Sequence, residues 1–350
     1  MADSMVWLAI IISCFFAINI GASGAAAAIG IAYGSGAIKK ARVALIVCAI
    51  AIFLGATIGG GEVIKTIGKG IISTDLLSIK IVVIILLSST LSLFLANLLG
   101  IPLSTSEVTV GAVVGVGVSL QSLYVLQLLQ IISFWFIVPV IAFTFAYLFK
   151  RFFKKYERRK SHWEKSGWIM WLLVIAGFIE AFSAGMNNVA NAVGPIVGAG
   201  YWSIEEGKWI GGIFVAVGVL LLGWRVLETN GKKIVSLSKI DGLMISSTGG
   251  ALVIVCSIVG VPIPMTQVTT SSILGVGLAK DGTTVFKKKI VHQILRVWLV
   301  SPFFSFLLSL LLVQAWVFSN SLMWAILLAV AVASIYRLFP SKQKKVYQAK

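Results

Sequence analysis

The chain is 350 residues long, 59% hydrophobic and only 12% charged, with a mean hydropathy of +1.01. A soluble domain carries about 25% charge, so a water-soluble globular class is excluded and an all-α polytopic membrane protein is expected. The net charge of +17 would suit a nucleic-acid partner, but the basic residues gather in short loops between apolar blocks, as orientation signals do; no nucleic acid is expected.

The first apolar run, Val6 to Ile38, resembles a signal peptide in ending near small residues, but it has no basic n-region and Asp3 is acidic. It reads as a membrane segment. It is too long for one straight span, and the patch Gly21-Ala22-Ser23-Gly24-Ala25-Ala26-Ala27-Ala28-Ile29-Gly30 interrupts it, which predicts a broken or re-entrant helix. After Lys39, Lys40 and Arg42, a span runs from about Val43 to Gly60, and a polar loop holds Glu62, Lys65, Lys69 and Asp75. The next span, Ile79 to Leu99, stops at Gly100-Ile101-Pro102.

There a second patterned stretch begins, Pro102-Leu103-Ser104-Thr105-Ser106-Glu107, leading into Gly111, Gly115 and Gly117. Ser104 and Glu107 have the capping-box spacing, and the glycines permit close helix packing within a membrane. A long span to Leu148 ends in the densest charge block, Lys150, Arg151, Lys154, Lys155, Arg158, Arg159, Lys160 and Lys165. This block reads as a cytoplasmic linker, 150–166.

The run from Trp168 then carries Gly185-Met186-Asn187-Asn188-Val189-Ala190-Asn191-Ala192-Val193-Gly194-Pro195, with three Asn, two Gly and a Pro at membrane depth. A span tolerates such residues only where they face protein, water or a bound solute. The stretch repeats Gly21–Gly30 in degenerate form. Two further matches keep the same order and an offset near 160: Glu62–Lys69 with Arg225–Lys232, and Pro102–Gly117 with Pro262–Gly277. The chain therefore divides into a first repeat, 1–149, the linker, a second repeat, 167–338, and a basic cytoplasmic tail, 339–350.

With the basic loops inside, the Glu62–Asp75 and Glu205/Glu206 loops fall outside. Each half then crosses an odd number of times, so the repeats are inverted. About 10–12 transmembrane helices are expected, with broken helices near the midplane, a plan that secondary transporters use.

Enzyme chemistry finds no footing. Cys14, Cys48 and Cys256 sit singly in apolar runs as buried reduced thiols. His162 and His292 stand apart beside basic loops, so no metal site and no cofactor is expected. Gly34-Ser35-Gly36-Ala37-Ile38-Lys39-Lys40 lacks P-loop spacing. A channel would need a charged ring or a continuous pore, and the inverted repeats weigh against it.

Along these motifs the chain resembles the PiT family of inorganic phosphate transporters. That family carries Gly-x-Asn-Asp-x-Ala-Asn-Ala in each half and a partner Pro-x-Ser-x-Thr-(His/Gln) stretch. Gly185–Ala192 matches all but one defining position, and Pro102–Glu107 and Pro262-Ile263-Pro264-Met265-Thr266-Gln267 match the partners. The resemblance covers essentially the whole chain, and implies broken helices, a scaffold domain and a homodimer.

The departures are specific. The signature Asp is Asn188 in the second half and Gly24 in the first; Ser23 and Ala27 replace the two Asn of the first signature, and Glu107 stands where many members have His. This pattern is similar to the sulfate permease (CysP-type) branch. Phosphate near neutral pH carries a proton that a carboxylate can accept, whereas sulfate presents only acceptors. A carboxylate beside sulfate repels it and leaves acceptors unpaired, at a few kcal/mol. Asn188 and the open backbone at Gly24 supply donors instead.

The expected substrate ligands are Ser23, Gly24, Ala25, Ser104, Thr105, Ser106, Asn187, Asn188, Asn191, Thr266, Gln267 and Thr269, with half-helix N-termini completing the anion field. Importing a dianion against an inside-negative potential costs about 4.6 kcal/mol per 100 mV, from roughly 2.3 per charge, so uptake needs co-transported cations. Loss of the signature Asp residues disfavours sodium and leaves protons, carried by Glu107 or Glu180. Each has an alternative, helix capping for Glu107 and a structural hydrogen bond for Glu180. The expected function is sulfate import across the plasma membrane by proton symport. The alternative is a phosphate transporter, or one for thiosulfate or molybdate.

Overall fold

The computed structural model describes residues 2–98, 103–157, 166–228, 237–287 and 289–326. Among these residues the regular elements are all helical. The first half holds α1 (Ala2–Ile20), a π-helical turn (Gly21–Ala25), α2 (Ala26–Gly34), α3 (Ala41–Gly59), α4 (Gly61–Lys69), α5 (Ile79–Leu98), α6 (Thr105–Ser119) and α7 (Val125–Glu157). The second holds α8 (Gly167–Gly198), α9 (Ile204–Leu222), α10 (Trp224–Glu228), α11 (Lys239–Ile258), α12 (Met265–Asp281) and α13 (Lys289–Leu312), which passes into a π turn at Val313–Val317. Pro102, the block 158–165 with its Arg158, Arg159, Lys160, His162 and Lys165, the loop lysines Lys232 and Lys233, and the 339–350 tail lie outside the described residues.

Among the described residues six helical stretches are long and apolar enough to cross a membrane: Asp3–Gly34, Ala41–Gly59, Val125–Phe153, Gly167–Gly198, Lys239–Ile258 and Val300–Val317. The 10–12 transmembrane helices expected from the odd number of crossings in each half include helices that are shorter or carry charge. At 1.5 Å per residue, the 15 residues of α6 and 17 of α12 reach only about 22–26 Å, under the roughly 30 Å of a bilayer core. Helix α9 opens on Glu205, Glu206 and Lys208. Large apolar side chains such as Phe136, Val140, Trp171 and Leu221 point outward, as lipid contact requires.

Two boundaries differ from those the sequence suggests. The Gly/Ala/Ser patch does not break its helix; the backbone loosens into one π turn and continues as α2. Such turns recur at functional sites because they disturb the regular hydrogen bonding locally. Helix α7 runs past Leu148 to Glu157, so Lys150 is helical and buried rather than part of an open linker.

The two halves contact each other reciprocally. Helix α3 packs on α8 and α9 on α1, while α6 packs on α13 and α12 on α7. The same pairing holds residue by residue. A Cβ at Gly21 would strike the Val215 carbonyl and one at Gly185 the Ile52 carbonyl; Gly218 meets the Ile18 carbonyl and Gly55 that of Phe182. Gly115 presses on the Phe306 carbonyl and Gly275 on that of Phe143. The contacts thus run in both directions between the halves. It also brings α6 and α12, buried on nearly all sides, to the centre of the protein.

Candidate substrate site

The site forms where the first turn of α6 meets the polar face of α8. Residues 180, 184, 187 and 191 fall on one side of α8 by helical periodicity, and all are buried. Asn191 Nδ2 donates to Thr105 Oγ1 at 3.2 Å and to Ser106 Oγ at 3.3 Å. Thr105 Oγ1 in turn donates to Asn188 Oδ1 at 3.0 Å, and Ser106 Oγ to Asn187 Oδ1 at 3.4 Å. Ser104 caps α6 by accepting from the Glu107 backbone N–H at 3.3 Å; this is half of the capping box that the spacing suggests, because the Glu107 carboxyl turns to Gln267 instead of back to the Ser104 N–H.

Asn187 is fully occupied within the protein. Its Nδ2 donates to Ser257 Oγ (3.1 Å) and the Val261 carbonyl (3.2 Å), and its Oδ1 accepts from the Ile263 backbone N–H (3.2 Å) as well as from Ser106. An amide has two donors and two acceptor lone pairs, so nothing is left for a ligand; Asn187 clamps the α11–α12 connection onto α6 and α8. Asn191 differs, because its buried Oδ1 has no partner.

The two positions that carry Asp in the PiT signature meet in space. Asn188 Nδ2 lies 3.1 Å from where a Cβ on Gly24 would sit, with Met265 Sδ as a weak acceptor at 4.0 Å. Gly24 belongs to the π turn, and so do Ser23, whose Oγ donates to the Leu103 carbonyl at 3.2 Å, and Ala25. From the other half, α12 begins beside this cluster. Its cap position, Pro264, makes no side-chain cap bond and its carbonyl already takes the Gln267 N–H, so the first-turn N–H groups of Met265 and Thr266 are the ones left uncapped. Thr266 Oγ1 is buried without a partner, and Gln267 Nε2 donates to Glu107 Oε1. This bond joins α12 to α6 near the centre.

Thr269 belongs elsewhere. Its hydroxyl donates to Glu180 Oε1 at 2.8 Å, and Glu180 stands seven residues before Asn187, about 10 Å along α8. The fourteen expected residues thus separate into a neutral cluster with Glu107 at its edge and a second group around Glu180. The sequence reading missed Ser257, which no motif marks, and Met265, which stands inside the Pro262–Gln267 stretch without being one of its polar positions. It also missed a buried ionic cluster: Asp241 Oδ1 pairs with Lys150 Nζ at 2.7 Å and its Oδ2 with Lys280 Nζ at 3.2 Å. The Ser238-x-x-Asp241 capping spacing, realised here at the start of α11, was its one visible signal.

What the cluster offers is a set of amides, hydroxyls and backbone N–H groups with no Lys or Arg among them. The comparison with known proteins fits that chemistry. The phosphate transporter family PHO4 matches residues 20–309. The chain belongs to this family. Within it, the chain is 53% identical over 345 residues to sulfate permease CysP of Bacillus subtilis (strain 168), covering 97% of this chain and 98% of that one. It is 27% identical over 387 residues to the putative phosphate permease PF1020 of Pyrococcus furiosus, covering 86% and 93%. Among solved structures, the sodium-dependent phosphate transporter superposes with a TM-score of 0.78 at 22% identity, over 93% of this chain and 99% of that one, a likeness of fold. This member of the phosphate transporter family is therefore a multi-pass membrane transporter and not an enzyme.

Proposed function

We propose that this transporter imports sulfate across the plasma membrane by proton symport, with the anion held between α6, α8, α12 and the π turn. The observation that carries the reading is the meeting of Gly24 and Asn188. Where the signature has two carboxylates, this chain puts an amide against bare backbone. A dianion that offers only acceptors gains donors there and meets no fixed negative charge. The 53% identity to a sulfate permease supports the same choice.

The twelve substrate residues then divide by role. Asn188 Nδ2, Thr266 Oγ1 and the backbone of Gly24 and Ala25 face the anion, while Thr105, Ser106 and Asn191, whose protons are spent on one another and on Asn187 and Asn188, frame the site. Asn187, Ser23 and Ser104 hold the helices that present them. Gln267 positions Glu107, and Thr269 positions Glu180. Protons ride on Glu107 and Glu180, and alternating access exchanges the environments of two inverted repeats, 1–149 and 167–338. The reciprocal glycine contacts support the duplication. The positive-inside pattern supports a cytoplasmic C-terminus.

Uptake of labelled sulfate into proteoliposomes tests the reading. It should rise under an inward proton gradient and not under a sodium gradient. Excess phosphate should compete poorly, and thiosulfate and molybdate better. The second reading, phosphate symport, has the phosphate permease relatives in its favour; labelled phosphate accumulating in preference to sulfate would establish it and overturn ours.

A further inference from the structure

Three carboxyls are buried among the described residues, Glu107, Glu180 and Asp241, and they differ in compensation. Asp241 has two lysines, Lys150 at 2.7 Å and Lys280 at 3.2 Å, and takes a further bond from the Ser238 backbone N–H. Neither Glu107 nor Glu180 takes part in any ion pair of the described residues. Each is held through one oxygen only: Glu107 Oε1 by Gln267, Glu180 Oε1 by Thr269. Glu107 Oε2 and Glu180 Oε2 are both buried and unpartnered.

The surroundings are equally short of positive charge. Around Glu180 stand Thr269 of α12, Ser246 of α11 and the thiol of Cys48 of α3. Gly249 and Gly250 of α11 lie flush against it. Glu107 faces Gln267 of α12 and its own cap Ser104. A carboxylate buried without a counter-charge is too costly to persist, so each group must hold a small cation or lose its charge to a proton.

We infer that this transporter carries two protons with each sulfate, one on Glu107 beside the anion and one on Glu180 a further two turns along α8, so that the cycle moves no net charge. Two positive charges against one dianion sum to zero, and the two uncompensated carboxyls supply the two places. Asp241, already neutralised by lysines, takes no part. The inference rests on the proton-coupled reading above, with its two carboxyls, and adds the stoichiometry to it.

The test uses the full chain in proteoliposomes with the membrane potential clamped by potassium and valinomycin. With two protons, a tenfold inward proton ratio at zero potential should sustain about a hundredfold sulfate ratio, because each proton contributes its own factor. Imposing 59 mV, inside negative, should leave that ratio unchanged; with one proton it would fall about tenfold. Glu180→Gln should lower the sustained ratio to about tenfold and make it potential-sensitive. Glu180→Asp should restore the wild-type values, and gel filtration of each variant checks assembly.

A wild-type ratio corresponding to one or three protons overturns the inference while leaving proton coupling intact. So does a Glu180→Gln protein that remains potential-insensitive at a hundredfold ratio. If the wild type accumulates no sulfate under a proton gradient, the coupling reading itself fails and this inference with it.

Discussion

Replacing Asn188 by Asp restores the residue that the PiT signature has at this position, and the surroundings set the consequence. Asn188 is 1% exposed. Thr105 donates to its Oδ1 at 3.0 Å and can do the same for a carboxylate, so the helix contact survives. The change falls on the other atom. The Nδ2 that faces Gly24 becomes an oxygen, and no Lys or Arg in the cluster offsets its charge. Sulfate loses one donor, worth about 1.5–3 kcal/mol for a hydrogen bond to a charged group, and meets an acceptor in its place.

Apparent sulfate affinity in labelled uptake should therefore fall at least about ten- to hundredfold, since each 1.4 kcal/mol is a factor of ten. Monohydrogen phosphate can donate its proton to the new oxygen, so its competition against sulfate should strengthen. Competition curves for Asn188→Asp and wild type, measured side by side, decide the point. If both the sulfate affinity and the rank of phosphate stay as in the wild type, the donor argument is wrong and selectivity is set elsewhere.

Other substitutions probe other parts of the argument. Glu107→Gln should likewise lower the sulfate ratio sustained by a tenfold proton ratio from about a hundredfold to about tenfold, and accumulation at the wild-type level would remove Glu107 from the coupling path. Asn187→Ala strands Ser257, Ser106, the Val261 carbonyl and the Ile263 N–H, and should lower stability by about 2–4 kcal/mol, read as earlier thermal unfolding in detergent. Asp241→Ala leaves Lys150 buried without its anion, and should cost about 3–5 kcal/mol by the same measurement; Lys150→Met, which leaves Asp241 paired with Lys280, should cost less. Gly55→Ala and Gly218→Ala push a Cβ into equivalent carbonyls of the partner half. They should impair folded yield to a similar degree, and a neutral effect of either would count against the duplication.

Much was legible from local chemistry. The missing charge announced a membrane protein, because a bilayer excludes charge whatever the fold. Asn187, Asn188 and Asn191 announced a polar site, because side-chain amides in an apolar helix need partners wherever they point. The Ser104 cap followed from spacing alone, as a capping bond spans three residues and depends on no distant part of the chain. The doubled motifs pointed to a duplication, and the close approaches of Gly21 to Val215 and of Gly185 to Ile52 are what such a duplication would give.

Tertiary structure decided what lies across from what. One helix face gave no way to tell that Asn187 spends its whole hydrogen-bonding capacity on the α11–α12 connection while Asn191 keeps an oxygen free. Nor did spacing reveal that Thr269 leaves the substrate cluster for Glu180, or that Lys150 turns inward to Asp241, 91 residues on. Motifs name groups able to bond, but long-range packing selects the partner and thereby the charge that stays uncompensated. Gly24 and Asn188 show both halves of this. Each could be seen in the sequence to lack a carboxylate; only the packing of the π turn against α8 puts the two absences at one place.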